Sequence, residues 1–480
     1  MPTTVRTFTK TKIVCTIGPA SQSFEVLKNL VRVGMDVARL NFSHGTREEH
    51  RKVLETLRIA AAFRSEPITI LQDLGGPKIR VGKLSTPSIE LKPKSLITIT
   101  TEDIEGDAQR IPTIYKNLPR DVRPGDNILL DDGKLQLQVD HVEGNETICK
   151  IVRGGTLLPR KGMNLPGAAL SVPSMTEKDK EDLLFGLEQD IDYVALSFVR
   201  TADDIKMLRE FIIQHVIKGK KVPIVAKIEK GEAISNIDAI LAETDAVMVA
   251  RGDLGVELPA EEVPMLQKMI ARKCNEVGKP VIIATQMLES MVNSATPTRA
   301  EANDVANAVL DGADAVMLSA ETSIGNYPIQ AVEVMDRIIH GTETQAARLH
   351  PFDPDRIPSL HEYDPLSRSA CLLAEQVKAS TIVVLTHSGN TAMHVAKFRP
   401  PVKIIAVTDR EKIMRRLNLI WGIRGLIIEN LKKDTDGTFK TIQDQLLQEG
   451  YVAKGDTVVM IAGIPLFEGH PTNMIKVDTV

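Results

Sequence analysis

A chain of 480 residues with 43% hydrophobic and 25% charged residues has the composition of an ordinary globular protein, long enough for about two to four domains. Its net charge of −4 gives no electrostatic footprint for nucleic acid, the first ten residues offer no apolar core for a signal peptide, and no apolar run is long enough to span a membrane. The four cysteines, Cys15, Cys149, Cys274 and Cys371, lie too far apart for a metal-ligand motif and read as reduced core thiols of a cytoplasmic protein.

In chain order, short β-like runs alternate with amphipathic helical stretches. The runs are 12–17, 36–41, 68–73, 193–198, 224–229, 246–251, 281–285 and 315–319, and helical stretches include 23–33, 202–216, 262–277 and 299–310. Alternating strand and helix implies parallel βα units. Eight of them predict an α/β fold of the (β/α)8 TIM-barrel type, with an open doubly wound sheet as the alternative.

The alternation breaks once. After Asp73 and Gly75-Gly76-Pro77, residues 78–170 show short strands at 88–91, 96–100, 127–130, 134–139 and 147–152, punctuated by Pro124-Gly125-Asp126 and Asp131-Asp132-Gly133. This predicts a small β-barrel lid domain, 75–170, inserted in a βα loop of a catalytic barrel formed by 1–74 and 171–345. Such loops sit at the C-terminal face of the barrel, over the active site. Gly75-Gly76-Pro77 and Pro166-Gly167 fit hinges. Pro351, Pro354, Pro358 and Pro365 predict a linker. Runs at 381–385, 404–407, 425–428 and 457–461 then predict a C-terminal α/β domain, 346–480, with a mostly parallel sheet.

In a barrel, polar residues at the C-terminal strand ends share one mouth. Here they are Arg39, Asn41, Ser43, Asp73, Lys227, Glu229, Arg251, Asp253, Thr285, Ser319 and Glu321. Lys227 and Glu229, two apart on one strand, face the same way. Buried, they are costly unless paired, metal-bound or meeting a charged ligand. A structural ion bridge is the plain reading. The converging groups instead suit a hard cation such as Mg²⁺ on Glu229 and Asp253, with Lys227 and Arg39 stabilising a phosphoryl group. The amides of Gly252-Asp253-Leu254-Gly255 suit a carboxylate if this segment opens a helix. A Mg²⁺-dependent lyase or aldolase acting on a 2-oxo acid would use similar groups without a lid.

Five segments resemble one family. They are Thr-Lys-Ile-Val-Cys-Thr-Ile-Gly-Pro-Ala at 11–20, Val-Ala-Arg-Leu-Asn-Phe-Ser-His-Gly at 37–45, Met-Val-Ala-Arg-Gly-Asp-Leu-Gly-Val-Glu at 248–257, Ala-Thr-Gln-Met-Leu-Glu-Ser-Met at 284–291, and 304–321. In order and over essentially the whole chain, these resemble the pyruvate kinases. The resemblance implies transfer of a phosphoryl group from phosphoenolpyruvate to ADP, giving pyruvate and ATP. Lys227 then resembles the transition-state lysine, Glu229 and Asp253 the Mg²⁺ ligands, and Arg39 the arginine on the substrate phosphate. Gly252, Asp253 and Thr285 resemble the carboxylate pocket. Arg80, Lys161, Asn41 and His44 resemble nucleotide contacts, and Thr285 and Ser319 a relay that protonates the enolate. A second Mg²⁺ is expected with the nucleotide, and a homotetramer as the assembly.

The resemblance also implies departures within the family. Asn41, Ser43 and Asp73 match ligands of the K⁺ that many members need. Leu74 replaces the fourth, a threonine, Lys78 stands where K⁺-dependent members carry glutamate, and Val81 replaces a polar residue. This pattern is similar to the K⁺-independent branch of bacterial type, with the Lys78 ammonium in place of the cation. Thr386-His387-Ser388-Gly389-Asn390-Thr391 occupies the family's effector-phosphate position. The last loop, 463–471, lacks the Arg and Trp of relatives activated by fructose 1,6-bisphosphate, so a sugar monophosphate or AMP is the expected effector.

Overall fold

The computed structural model describes residues 8–64, 66–168, 170–216, 221–349, 352–428, 435–466 and 470–480, with the side chains of 349, 435 and 436 left out. Pro351 of the expected linker, residues 467–469 of the last loop and the first seven residues of the N-terminus lie outside these.

The chain opens with three parallel strands, β1 (Lys12–Ile17), β2 (Val37–Asn41) and β3 (Thr69–Asp73). Eight short strands follow: β4 (Ile89–Leu91), β5 (Leu96–Thr100), β6 (Arg110–Pro112), β7 (Asn127–Leu130), β8 (Leu135–Glu143), β9 (Glu146–Arg153), β10 (Gly155–Leu157) and β11 (Met163–Asn164). The parallel pattern resumes with β12 (Tyr193–Leu196), β13 (Ile224–Ile228), β14 (Ala246–Ala250), β15 (Val281–Ala284) and β16 (Ala315–Leu318). β1–β3 and β12–β16 close into an eight-stranded parallel barrel, so the (β/α)8 expectation holds over the open sheet. These strands are buried along nearly their whole length, which is why they read as continuous apolar runs. The helices between them start at defined points. Thr46 with Glu49, Thr176 with Asp179, and Thr298 with Glu301 each form a reciprocal capping box.

The inserted strands form a six-stranded sheet, β11-β7-β8-β9-β5-β6, and a β10–β4 pair. The segment just past Gly75-Gly76-Pro77 joins both edges of the larger sheet. Arg80 bridges Gly162, next to β11, and Val81 bridges Thr113, next to β6. Two single bridges thereby curl this sheet into a small barrel. The insert has its own apolar core around Ile97, Ile99, Leu130, Leu137 and Ile151.

A helix at Pro328–Leu349 leads out of the barrel. Pro365 lies in the first turn of the next helix, Asp364–Gln376, and does not extend the linker. Its missing N–H costs nothing at that position. β17 (Thr381–Leu385), β18 (Lys403–Thr408), β19 (Ile423–Ile427) and β20 (Thr457–Ala462) are parallel, and β21 (Met474–Thr479) adds an antiparallel edge in the order β19-β18-β17-β20-β21.

One motif repeats around the N-terminal end of the catalytic barrel. Asp36, Asp192, Asp245 and Asp314 each precede an alternate strand, and each carboxylate accepts an N–H from the first or second residue of the strand before it. The pairs are Ile13 N to Asp36 at 3.0 Å, Ile70 N to Asp192 at 2.9 Å, Ile224 N to Asp245 at 2.8 Å, and Val281 N to Asp314 at 3.0 Å. Each aspartate also meets an arginine: Arg64, Arg415, Arg209 and Arg399 respectively.

Two of those arginines, Arg399 and Arg415, come from the C-terminal domain, which docks on this end. Leu419 is fully buried inside the barrel, packed among Val14, Val37, Leu71, Tyr193, Val225 and Met317. The Asn418 amide donates to the carbonyls of Asp36 and Pro67 at 2.8 and 2.9 Å. Lys12 Nζ reaches the Ile423 carbonyl at 2.6 Å, and Arg424 pairs with Glu66 at 2.7 Å.

Glu66 reports on this junction. Burial opposes its charge, but Arg64, Arg424 and Lys12 overcome that and hold its carboxyl at about 2, below the ordinary 4.5. Because the folded value is the lower one, its stabilisation is fully present above about pH 4.5 and is lost as pH falls toward 2. Glu66→Gln should therefore be less stable at neutral pH. Its urea-unfolding free energy should also fall less steeply than that of the unsubstituted protein between about pH 5 and 2, by a difference on the order of 3 kcal/mol. Parallel acid profiles would refute this.

Candidate active site

At the opposite, C-terminal end of the barrel, charge is concentrated rather than neutralised strand by strand. Lys227 is the fourth residue of β13, and Glu229 follows the strand directly. Lys227 Nζ lies 2.8 Å from Glu229 Oε1, 3.3 Å from Asp73 Oδ1 and 2.7 Å from Ser197 Oγ. Asp73 ends β3, and its other oxygen accepts from Arg39 Nε at 2.6 Å. Arg39 NH1 in turn donates to Thr16 Oγ1 at 2.9 Å. All six residues are buried. Five strands thus contribute to one continuous network, from Thr16 on β1 to Glu229 beyond β13.

Its electrostatics are asymmetric. Burial disfavours charge on Lys227, but Asp73 and Glu229 more than offset it and push the ammonium pKa up. Burial likewise opposes charge on Asp73, and Lys227 and Arg39 bring its pKa down. Lys227 is therefore a fixed positive charge and not a base. Asp253 differs. It lies in the first turn of the helix Arg251–Glu257, and burial together with the nearby Glu229 charge raises its pKa to about 6, against the pull of Lys227 and Lys78. Two carboxylates that crowd each other in this way suit a shared cation. Among the described residues no cluster of three or more His, Cys, Asp or Glu side chains forms a complete metal cage.

Backbone strain marks the next wall. Thr285, just after β15, has φ +71°, and Gln286 follows at +55°. Positive φ is a genuine outlier for a β-branched residue. It is held by two bonds: Thr285 Oγ1 accepts the Gly252 N–H at 2.8 Å, and the Thr285 carbonyl accepts from Arg251 NH2 at 2.7 Å. The segment that holds Gly252 does begin a helix, with Arg251 as its first residue and Gly252 its second. Ser319 Oγ is buried with no hydrogen-bond partner among the described residues, while its N–H donates to Glu321 at 2.7 Å.

The junction between barrel and insert is built into the same wall. Phe198 has φ +56° and donates its N–H to Glu229 Oε2 at 2.7 Å. A Cβ on Gly76 would stand 2.8 Å from the Phe198 ring, and Gly76 itself has φ +65°, so only glycine fits there. Between insert and barrel lies a cavity of about 300 Å³, lined among others by Lys78, Arg80, Lys161, Lys230 and Asp253. Lys161 pairs with Asp131 at 2.7 Å, and Arg80 NH1 donates to the Arg160 carbonyl at 3.1 Å. Lys78 is exposed at the mouth. The surrounding protein, and then the Lys227 charge, lower its pKa against Asp253 and Glu229. His44 is also exposed, with its pKa lowered by partial burial and by Lys78, Arg80 and Arg39. Asn41 accepts the Ser43 N–H at 3.1 Å.

The second predicted site lies in the C-terminal domain, apart from the barrel mouth. Thr386, Ser388 and Thr391 line a cavity of about 140 Å³ with His387, Gly463 and His470. Thr386 Oγ1 accepts the Gly389 N–H at 2.9 Å, and Gly389, with φ +92°, precedes the helix Asn390–Lys397. Asn390 opens that helix.

Sequence reading passed over Ser197 and Thr16, which anchor Lys227 and Arg39. Ser197 carried a signal, since it directly follows an apolar strand. Thr16 lies within its strand and carried none. Asp73 was placed at the barrel mouth and given a role as a K⁺ ligand, yet it is also the carboxylate that Arg39 and Lys227 share.

Replacing that carboxylate should expose the cost. Asp73→Asn leaves two buried cations without their common partner, and should lower stability by about 3 kcal/mol. It should also lower the Lys227 ammonium pKa, readable by NMR titration. An unchanged Lys227 titration would show that Glu229 alone sets it.

The chain matches the family model "Pyruvate kinase, barrel domain" over residues 8–332 and "Pyruvate kinase, alpha/beta domain" over residues 364–478. It is 46% identical over 477 residues to pyruvate kinase 2 of Synechocystis sp., covering 98% of this chain and 79% of that one. It is 42% identical over 474 residues to the pyruvate kinase of Clostridium acetobutylicum, covering 98% and 99%. The crystal structure of a pyruvate kinase from Cryptosporidium parvum superposes with a TM-score of 0.92 at 38% identity, covering 98% of this chain and 96% of that one. With its eight-stranded parallel barrel, inserted β-sheet segment and C-terminal α/β domain, the chain belongs to the pyruvate kinase family.

Proposed function

We propose that this enzyme transfers the phosphoryl group of phosphoenolpyruvate to ADP at the mouth of the barrel, giving ATP and pyruvate. The observation that carries the reading is the network of Lys227, Glu229, Asp73 and Arg39, with Asp253 beside it. Phosphoryl transfer needs in-line positioning and charge neutralisation more than covalent catalysis. Arg39, oriented by Asp73 and Thr16, holds the phosphate oxygens. Lys227, kept protonated by Asp73 and Glu229, stays on the phosphoryl group as charge builds in the transition state. The Gly252 and Asp253 amides and Thr285 receive the substrate carboxylate. Lys161 and Arg80 on the lid, with Asn41 and His44 on the barrel, receive the nucleotide phosphates, and the hinges at Gly76 and Gly167 let the lid close and exclude water.

Glu229 and Asp253 are the two protein carboxylates for Mg²⁺, and a second ion is expected with the nucleotide. Mg²⁺ supplies Lewis-acid stabilisation of the enolate oxygen. The buried, unpartnered Ser319 hydroxyl and Thr285 belong to the path that delivers a proton to the enolate carbon.

Turnover without K⁺ is proposed from Leu74, Val81 and Lys78. Leu74 and Val81 are buried apolar side chains with no cation-ligating oxygen, and the Lys78 charge interacts with Glu229 and Asp253. The Thr386–Thr391 loop is proposed to bind a phosphorylated effector, a sugar monophosphate or AMP. No helix among the described residues is long and apolar enough to cross a membrane. A cytoplasmic homotetramer is the expected form.

Lys227→Met should lower kcat by at least about 10³-fold while phosphoenolpyruvate still binds in equilibrium titrations. An active variant would mean that another cation serves the phosphoryl group. Steady-state assays with phosphoenolpyruvate and ADP should show full activity without K⁺. They should also show a shift of the phosphoenolpyruvate saturation curve with AMP or a sugar monophosphate. Strong activation by K⁺ would rule out the Lys78 substitution, and an unmoved curve would rule out the effector.

A further inference from the structure

The carboxylate of Glu257 joins three parts of the molecule that the proposed reaction needs in register. Glu257 ends the helix Arg251–Glu257, one turn after Asp253 and on the same face. Its side chain is only 3% exposed, and its Oε1 lies 2.5 Å from Lys230 Nζ. Lys230 directly follows Glu229. The ion pair therefore ties the helix bearing one proposed metal carboxylate to the segment bearing the other. The same Oε1 accepts from a second group, the Asn164 amide, at 3.3 Å. Asn164 is on β11 of the lid, three residues from Lys161, and β11 pairs with β7, which leads into Asp131. The chain beyond β11 is anchored separately. Arg200 donates to the carbonyls of Leu170 and Val172 at 2.5 and 2.7 Å. Asn164 thus lies on the lid side of that anchor and reaches the barrel through Glu257.

We propose that Glu257 is a positioning residue for nucleotide-bound closure. It receives the lid through Asn164 and, through Lys230 and its own helix, holds the Glu229 and Asp253 segments at a fixed separation when Lys161 and Arg80 come down on the nucleotide. Glu257 touches neither substrate nor product. The inference rests on the phosphoryl-transfer reading above.

A charge-reversal pair tests it. Asn164→Asp sets a second carboxylate against Glu257, so the closed lid is repelled. The KM for ADP should rise about tenfold, the KM for phosphoenolpyruvate should stay within about twofold, and the thermal midpoint should be unchanged. Adding Glu257→Gln replaces the original carboxylate by an amide that donates to the one introduced on β11, and should bring the ADP KM below that of Asn164→Asp alone, while loss of the Glu257–Lys230 ion pair keeps it above that of the unsubstituted enzyme. A purely structural role would not give this rescue. If Asn164→Asp folds poorly, Asn164→Ser removes the donor without adding charge and should raise the ADP KM about threefold. An ADP KM unmoved in the Asn164 variants, or a double variant no better than Asn164→Asp alone, would overturn the proposal. Lack of turnover of phosphoenolpyruvate and ADP by the unsubstituted enzyme would instead overturn the functional reading on which it stands.

Discussion

The register of the catalytic barrel depends on four hydrogen bonds at its N-terminal end. Each aspartate there accepts an N–H at the start of the neighbouring strand, from its first or second residue, and fixes how far that strand slides along its partner. In a parallel barrel, a slip of one residue would turn every inward side chain outward. The placement of Arg39, Asp73 and Lys227 at the far end is therefore inherited from contacts at the near end. Arg399 and Arg415 complete two of the four sites, so the C-terminal domain takes part in setting that register.

The two ends use charge in opposite ways. Below, each aspartate has an arginine and a backbone donor, and nothing is left over for a ligand. Above, Lys227, Arg39, Asp73 and Glu229 satisfy one another within a buried network, while Asp253, which lines the cavity under the insert, has its pKa raised to about 6 by burial and the Glu229 charge. A buried network of this kind is weak evidence for stability. It is what a site for anions and cations requires, since bound ligands can complete its charge balance.

Much of this was legible in the sequence, and the reasons differ by element. The barrel strands could be read because burial on both faces makes them continuous apolar runs, and the site because its polar residues fall directly after those runs. The aspartate ring could not, since an Asp before a strand reads as an ordinary turn residue, and nothing local says that its carboxylate bonds to another strand. The inserted segment was expected to form a small β-barrel, but the residues that bring its edges together were hidden, because they are single bridges at Arg80 and Val81, too short to leave a pattern. Pro365 misled for a local reason: a proline in the first turn of a helix looks like any other linker proline until the helix is seen. Leu419, one leucine after a short helix, gave no sign that it fills the barrel.

That leucine has a bearing on how this architecture can be cut or shuffled. A barrel stripped of its C-terminal domain would open onto water at its own centre, with Val14, Leu71 and Met317 lining the hole and Asp192 and Asp314 stripped of their cations. The smallest unit that closes its hydrophobic interior is thus larger than the unit that carries the chemistry. Transplanting the catalytic barrel alone would carry over the reacting groups and leave behind the stopper that keeps them in place.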